Sequence, residues 1–290
     1  MPPRHWRNAC AGRKCATPGS PRCCPACEAK PVSISALSCP GVPVSDPIPL
    51  RLRDRRQLVP GVLHLGFEHA QGLALPFRAG QFVQVLVPDA DGQVQRRSYS
   101  LANAPDADAL PGRWELAVSL MPGGIASALF EGMAPGDTVQ ALGPFGRFGL
   151  QANDIAQRYL LVATGTGVAP LRAMLPELER RILHNGARAT LLLGARKRDE
   201  LPWHDEFLAL TARLPGFDYI ACITREAVPD TDPHLRAGRV QTVLETLAPR
   251  ADDLALLCGN PDMVDECFQL LRNAGLPPAR IRRERYVASG

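Results

Sequence analysis

The chain changes rhythm near residue 150, and that change constrains its fold more than any other feature. Before it, short apolar runs at Leu50–Leu58, Val62–Glu68, Gln81–Pro88, Arg96–Ala104, Arg113–Met121 and Thr138–Gly143 are punctuated by Gly, Pro and Asp. Runs of this length with turn residues between them predict antiparallel strands closing into a small barrel. One helix, 125–132, is predicted between the last two. From about residue 158, strands and helices alternate instead. Buried strands are predicted at Tyr159–Ala163, Thr190–Ala195, Tyr219–Thr224 and Leu254–Cys258, with helices at 169–184, 202–213, 240–248 and 261–274. Such alternation implies a parallel sheet with helices on both faces, and ligands bind at the carboxyl ends of its strands. The expected architecture is therefore two domains: an antiparallel β-barrel over 47–150, then α/β with a parallel sheet over 155–290. The boundary falls in the polar stretch after Gly146.

Residues 1–46 stand apart. Six of the nine cysteines lie there, at 10, 15, 23, 24, 27 and 39. Their spacing lacks the C-x4-C-x2-C of a plant-type iron–sulfur cluster. Two pairs leave a zinc knuckle open, but the Pro, Arg and Cys content without apolar periodicity predicts disorder. This leader also sets the charge. The whole chain is +4, yet residues 1–40 hold six Lys/Arg against Glu28 alone, and the rest nets −1. No global field therefore draws the body to nucleic acid or an anionic membrane. No run reaches the length of a membrane span, and the first thirty residues lack the apolar core of a secretory signal. Cys222, Cys258 and Cys267 lie in apolar runs, the pattern of reduced thiols. A cytoplasmic monomer is expected. The cluster Arg280, Arg282, Arg283 and Arg285 reads as a solvated face or as a docking patch for an acidic partner.

Four segments carry chemistry. Leu160-Leu161-Val162-Ala163 runs into Thr164-Gly165-Thr166-Gly167-Val168-Ala169-Pro170. A glycine turn between strand and helix lets backbone N–H groups approach a pyrophosphate, and Pro170 suits the first helical turn. A Pro stands where the ordinary dinucleotide fingerprint has its third glycine. In Arg96-Arg97-Ser98-Tyr99-Ser100 an Arg can neutralise phosphate, a Tyr can stack on a planar ring and a Ser can hydrogen-bond a ring nitrogen. A half-buried strand with solvated arginines explains the same residues. Gly123-Gly124-Ile125-Ala126-Ser127 offers a helix start with free N–H groups and a hydroxyl. In Cys258-Gly259-Asn260-Pro261-Asp262-Met263, Asn260 is an N-cap and Cys258 ends a strand.

The order of these segments, with Gly194-Ala195-Arg196 between the last two nucleotide-like motifs, resembles the ferredoxin–NADP reductase family over about residues 47–287. The resemblance implies a flavoenzyme whose barrel binds FAD and whose α/β half binds the nicotinamide nucleotide. Arg97 would meet the flavin diphosphate, Ser98 and Tyr99 would line the flavin, and Ser100 would lie near N5. Gly123, Gly124, Ala126 and Ser127 would hold the flavin pyrophosphate. Thr164, Gly165, Thr166 and Gly167 would cradle that of NADP. Cys258, Gly259 and Met263 would flank the nicotinamide. Arg196, Thr224, Arg225 and Arg239 resemble contacts to a 2′-phosphate, which favours NADPH. Ser100, Cys258 and Glu284 are the candidate catalytic groups, and no metal is required. Plant-type members end on an aromatic covering the flavin. Here Glu284-Arg285-Tyr286-Val287 is followed by three more residues, leaving the place of Tyr286 open.

The implied activity is hydride transfer from NADPH to FAD, then single electrons to a ferredoxin or flavodoxin. The alternative is the reductase component of a multicomponent oxygenase, serving a separate iron–sulfur protein. A regulatory electron-transfer subunit, as in dihydroorotate dehydrogenase, would need a C-terminal cysteine cluster that this chain lacks.

Overall fold

The computed structural model describes residues 46–105, 112–229 and 231–286. The cysteine-rich leader, read above as disordered or zinc-binding, lies outside them.

Six antiparallel strands come first: β1 (Ile48–Val59), β2 (Val62–His69), β3 (Phe82–Pro88), β4 (Val94–Ser100), β5 (Arg113–Ser119) and β6 (Thr138–Phe145). They pair in the order β4-β3-β6-β1-β2-β5. An antiparallel bridge from Leu101 to Leu116 joins the two ends, so the sheet closes as a barrel. Alternation along the strands sends Leu50, Leu52, Phe67, Val85 and Trp114 inward. The buried Trp114 Nε1 donates to the Leu75 carbonyl at 3.1 Å, so its polar atom is satisfied. The helix α1 (Ile125–Gly132) packs Phe130 on this core.

The second sheet is parallel: β7 (Arg158–Thr164), β8 (Arg188–Ala195), β9 (Phe217–Ile223), β10 (Leu235–Ala237), β11 (Leu254–Gly259) and β12 (Ile281–Arg285). The order is β10-β9-β8-β7-β11-β12. The helices are α2 (Ala169–Ala173), α3 (Leu175–Asn185), α4 (His204–Arg213), α5 (Val240–Thr246) and α6 (Pro261–Asn273). The chain builds outward from β7 to β10 and then returns to β11 beside β7. This reversal opens a crevice at the carboxyl ends of those two strands. The turn Gly165–Val168 after β7 and the turn at Gly259-Asn260 after β11 therefore sit side by side.

Two strands escaped the sequence pattern. β10 has three residues, and β12 reads Ile281-Arg282-Arg283-Glu284-Arg285, with one apolar residue and no period-2 signal. Its arginines, and Arg280 just before it, find partners within the chain. Arg282 donates to the Gly149 carbonyl at 2.6 Å and pairs with Asp154. Arg280 donates to the carbonyls of Ile155 and Asp252 at 3.2 and 2.9 Å. Arg283 and Arg285 both reach Asp265, at 3.2 and 2.7 Å. Arg181 of α3 adds bonds to the carbonyls of Gln151 and Asp154 at 2.7 and 3.3 Å. The connection between the sheets is thereby pinned to the α/β half.

Candidate functional site

Two cavities of about 610 Å³ each open between the barrel and the carboxyl edge of the parallel sheet, a size suited to cofactors. They meet at Ser119, Met121 and Thr166, which line both. Ser119 Oγ and Thr166 Oγ1 share a hydrogen bond of 3.2 Å across the divide.

The barrel-side cavity is built from β4, the start of α1 and the end of β12. It gathers Arg97, Ser98, Tyr99, Ser100, Gly124, Ala126, Ser127, Glu284 and Tyr286. Gly123 supplies the left-handed turn, φ 73°, and stays outside the wall. Arg97 spends one donor on the Arg96 carbonyl at 3.2 Å, so most of its guanidinium is available. Gly124 precedes α1 as its N-cap residue, with no side-chain cap bond and no acid in the first turn, which leaves the N–H groups that follow it for an anion. The Ser127 hydroxyl accepts from Met121 N–H at 2.7 Å and holds that turn. Tyr99 packs edge-on against Phe130, with centroids 5.5 Å apart. Burial pushes its phenol up to about 12, against the pull of Arg97, so it stays a neutral ring.

At the far end of this cavity Ser100 Oγ donates to Glu284 Oε1 at 3.1 Å, joining two halves of the chain 184 residues apart. Burial raises the Glu284 carboxyl above its ordinary range, and the Ser100 bond only partly offsets this. Cys258 pairs with Glu284 in register on β11 and is completely buried. Burial and the neighbouring Glu284 push its thiol up, so it remains protonated. Tyr286 N–H donates to the Gly259 carbonyl at 2.8 Å, which lays the tyrosine beside this group. Its buried hydroxyl has no hydrogen-bond partner among the described residues.

The second cavity follows the carboxyl ends of β7, β8, β9 and β11. It takes in Thr164, Gly165, Thr166, Arg196, Thr224, Arg239 and Met263, together with Glu200, Cys222 and Gln241. Cys258 and Gly259 line neither cavity, and Arg225 lies outside both. The glycines of the turn have distinct jobs. Gly165 adopts φ 53° with open space where a Cβ would go. A Cβ on Gly167 would lie 2.5 Å from the Cys258 carbonyl oxygen and 2.6 Å from Gly259 Cα. The lack of a side chain at Gly167 is thus demanded by backbone packing against Cys258 and Gly259. Asn260 caps α6, accepting from Asp262 and Met263 N–H at 2.9 and 3.2 Å. Arg196 is held by Glu200 at 3.1 Å, whereas Arg239 approaches Glu266 only at 3.9 Å. Glu200 was not anticipated, because an acid four residues after an arginine is an ordinary helix pairing. Ser119 and Met121 carry no motif either; their one signal is their place just before Gly123-Gly124.

The residues fit the groups that the cavities suggest. One cavity offers an anion site at one end and a ring-sized polar end with an orphaned hydroxyl. The other offers a glycine turn and two guanidinium groups. Comparison with known proteins agrees. Residues 49–149 match the oxidoreductase FAD-binding domain and 161–268 the oxidoreductase NAD-binding domain. A ferredoxin–NADP reductase B from Sorangium cellulosum is 36% identical over 252 residues, covering 83% of this chain and 98% of that one. The chain belongs to the ferredoxin–NADP reductase family. It is an FAD-dependent NAD(P)H oxidoreductase.

The toluate 1,2-dioxygenase electron transfer component of Pseudomonas putida is 33% identical to the reductase, over 81% of this chain and 66% of that one. The reductase thus spans just under two thirds of that oxygenase component. A Neisseria gonorrhoeae ferredoxin–NADP reductase, solved with FAD and NADP bound, shares the fold at TM-score 0.70 and 23% identity, covering 82% of this chain and 97% of that one. No helix among the described residues of the reductase is long and apolar enough to cross a membrane.

Proposed function

We propose that the reductase oxidises NADPH and passes single electrons to a ferredoxin or flavodoxin, as a cytoplasmic monomer. The observation that carries this reading is the Ser100–Glu284 bond at 3.1 Å. This bond supports the reading because it joins the polar end of the barrel-side cavity to the carboxyl edge of the parallel sheet, so that groups held in the two cavities would lie close together.

When bound, the flavin supplies a two-electron acceptor able to release electrons singly. The chain's own groups bind, orient and handle protons. Arg97 and the N–H groups of Ala126 and Ser127, with Gly124 in the wall, hold the diphosphate end. Tyr99 gives its ring an apolar wall. Ser100 Oγ can donate either to Glu284 or to a ring nitrogen, and the raised carboxyl of Glu284 is placed to resupply that proton. Thr164, Gly165 and Thr166 cradle the second pyrophosphate, and Arg196 with Arg239 favours a 2′-phosphate. Tyr286, held by the Gly259 carbonyl, would line the ring end of the barrel-side cavity. Cys258, protonated beneath it, adds polarity without charge.

A second reading, the reductase component of an oxygenase with a separate iron–sulfur protein, is supported by the likeness to the toluate dioxygenase component. The test is anaerobic stopped-flow reduction of the full chain, after its released flavin has been identified, followed by reoxidation with a ferredoxin, a flavodoxin and an oxygenase iron–sulfur protein. The expected results are FAD, faster reduction by NADPH than NADH, and fastest reoxidation by ferredoxin or flavodoxin. Faster reduction by NADH together with preference for the oxygenase protein would replace the first reading with the second.

A further inference from the structure

Arg172 follows the glycine turn on α2, yet its side chain reaches into the barrel. Nη1 donates to the Ala102 carbonyl at 2.8 Å and meets Glu115 Oε2 at 3.3 Å. Nε donates to both Glu206 oxygens of α4, at 2.9 and 3.0 Å. The guanidinium lies over the Trp203 ring, 4.9 Å from its centroid. One planar group therefore bridges a carboxylate of the barrel and a carboxylate of the α/β half, the geometry for which arginine is suited.

The surroundings are built to hold that bridge. Trp203 takes a left-handed backbone, φ 54°, which is costly for a bulky residue and places its ring under Arg172. On the barrel side Arg56 Nε donates to His64 Nδ1 at 3.1 Å, leaving Nε2–H to donate to Glu115 at 3.0 Å. Arg113 reaches the other Glu115 oxygen at 3.3 Å. Glu115 is thus also held from within the barrel.

Connectivity gives the bridge a consequence. Ala102 lies two residues beyond Ser100, at the ring end of the barrel-side cavity. Arg172 lies six residues beyond Thr166, in the pyrophosphate cradle. We propose that Arg172 is a positioning residue, a latch from Glu206 to Glu115 and Ala102 that sets the spacing between the flavin-side and nicotinamide-side segments. It touches neither cavity and acts through the two strand ends that it ties together. The inference rests on the redox reading above for its effect on rate, and on geometry alone for its effect on structure.

The substitution Arg172→Met tests it with little threat to folding. Glu115 keeps His64 and Arg113, and Glu206 is 43% exposed, so no buried charge is stranded. In the FAD-loaded full chain, amide exchange at residues 101–103 and 165–169 should accelerate by about tenfold or more while the barrel and sheet interiors stay protected. Hydride transfer at saturating NADPH should slow by roughly ten- to a hundredfold, with nucleotide affinity changed by less than about threefold. Arg172→Lys should recover part of the rate, since one ammonium cannot span all three acceptors. Adding Glu115→Gln to Arg172→Met should cost less than Glu115→Gln alone. Unchanged exchange in both segments, or a loss confined to nucleotide affinity, overturns the latch. If Arg172→Met fails to fold, wild-type exchange and rate in Arg172→Lys overturn it. A wild-type chain that NADPH does not reduce would sink the redox reading while exchange still decides the latch.

Discussion

Gly167→Ala is the sharpest probe of how the two strand-end turns fit together. The backbone of Gly167 needs no left-handed conformation, so the objection to a side chain is steric alone. The added Cβ would sit 2.5 Å from the Cys258 carbonyl oxygen and 2.6 Å from Gly259 Cα. Ordinary contact begins near 3.4 Å, so the gap must open by about 0.9 Å in a close-packed region. Both obstacles are backbone, and neither can rotate away. Gly259 is itself confined on its other side, where its Cβ position lies 2.5 Å from Thr164 Oγ1. Over-packing of this kind costs about 1–3 kcal/mol, and immobile neighbours put the expectation at about 3 kcal/mol. Gly165→Ala is the control. Nothing lies within 4 Å of its Cβ position, so it meets only the left-handed φ of 53°, at roughly 1–2 kcal/mol. Urea unfolding of both variants, with slopes compared, reads the difference directly. Gly167→Ala costing no more than Gly165→Ala would refute the reasoning, because it would show that the turns are not locked together.

Arg97→Ala should lose flavin during purification, as judged by the ratio of flavin to protein absorbance; full retention would show that the diphosphate lies elsewhere. Arg196→Ala should raise the KM for NADPH by roughly ten- to a hundredfold, the worth of a charge-assisted bond, and leave that for NADH nearly unchanged. Equal losses for both nucleotides would remove Arg196 from the 2′-phosphate site. Burial raises the Glu115 carboxyl, but the hydrogen bond from His64 and the charges of Arg172 and Arg113 outweigh it and hold its pKa at about 2, below the ordinary 4.5. A depressed carboxyl contributes stability that is present above pH 4.5 and lost as pH falls toward 2. Urea midpoints measured across that window should fall less steeply in Glu115→Gln than in the parent; parallel profiles would contradict the assignment.

The motifs were legible because each is a local conformational demand. Thr164–Pro170, Gly123–Ser127 and Asn260–Met263 each carry turn and cap residues whose backbone needs can be read without a fold. The strands of the barrel and most of the parallel sheet followed from their apolar periods. β12 did not, because its arginines find carboxylates and a carbonyl contributed from elsewhere: Asp154, Gly149 and Asp265. A charged strand held by distant partners leaves no periodic trace.

What the sequence determined by itself is the order of a closed antiparallel sheet, a parallel sheet and the two phosphate-type turns, since propensity, period and turn chemistry act over a few residues. The tertiary structure alone decided which groups meet. Ser100 reaches Glu284 across 184 residues, Gly167 packs on Cys258, Arg225 lies outside both cavities, and Arg172 crosses between the halves. Those contacts arise from strand order and side-chain reach in three dimensions, and no local spacing encodes either.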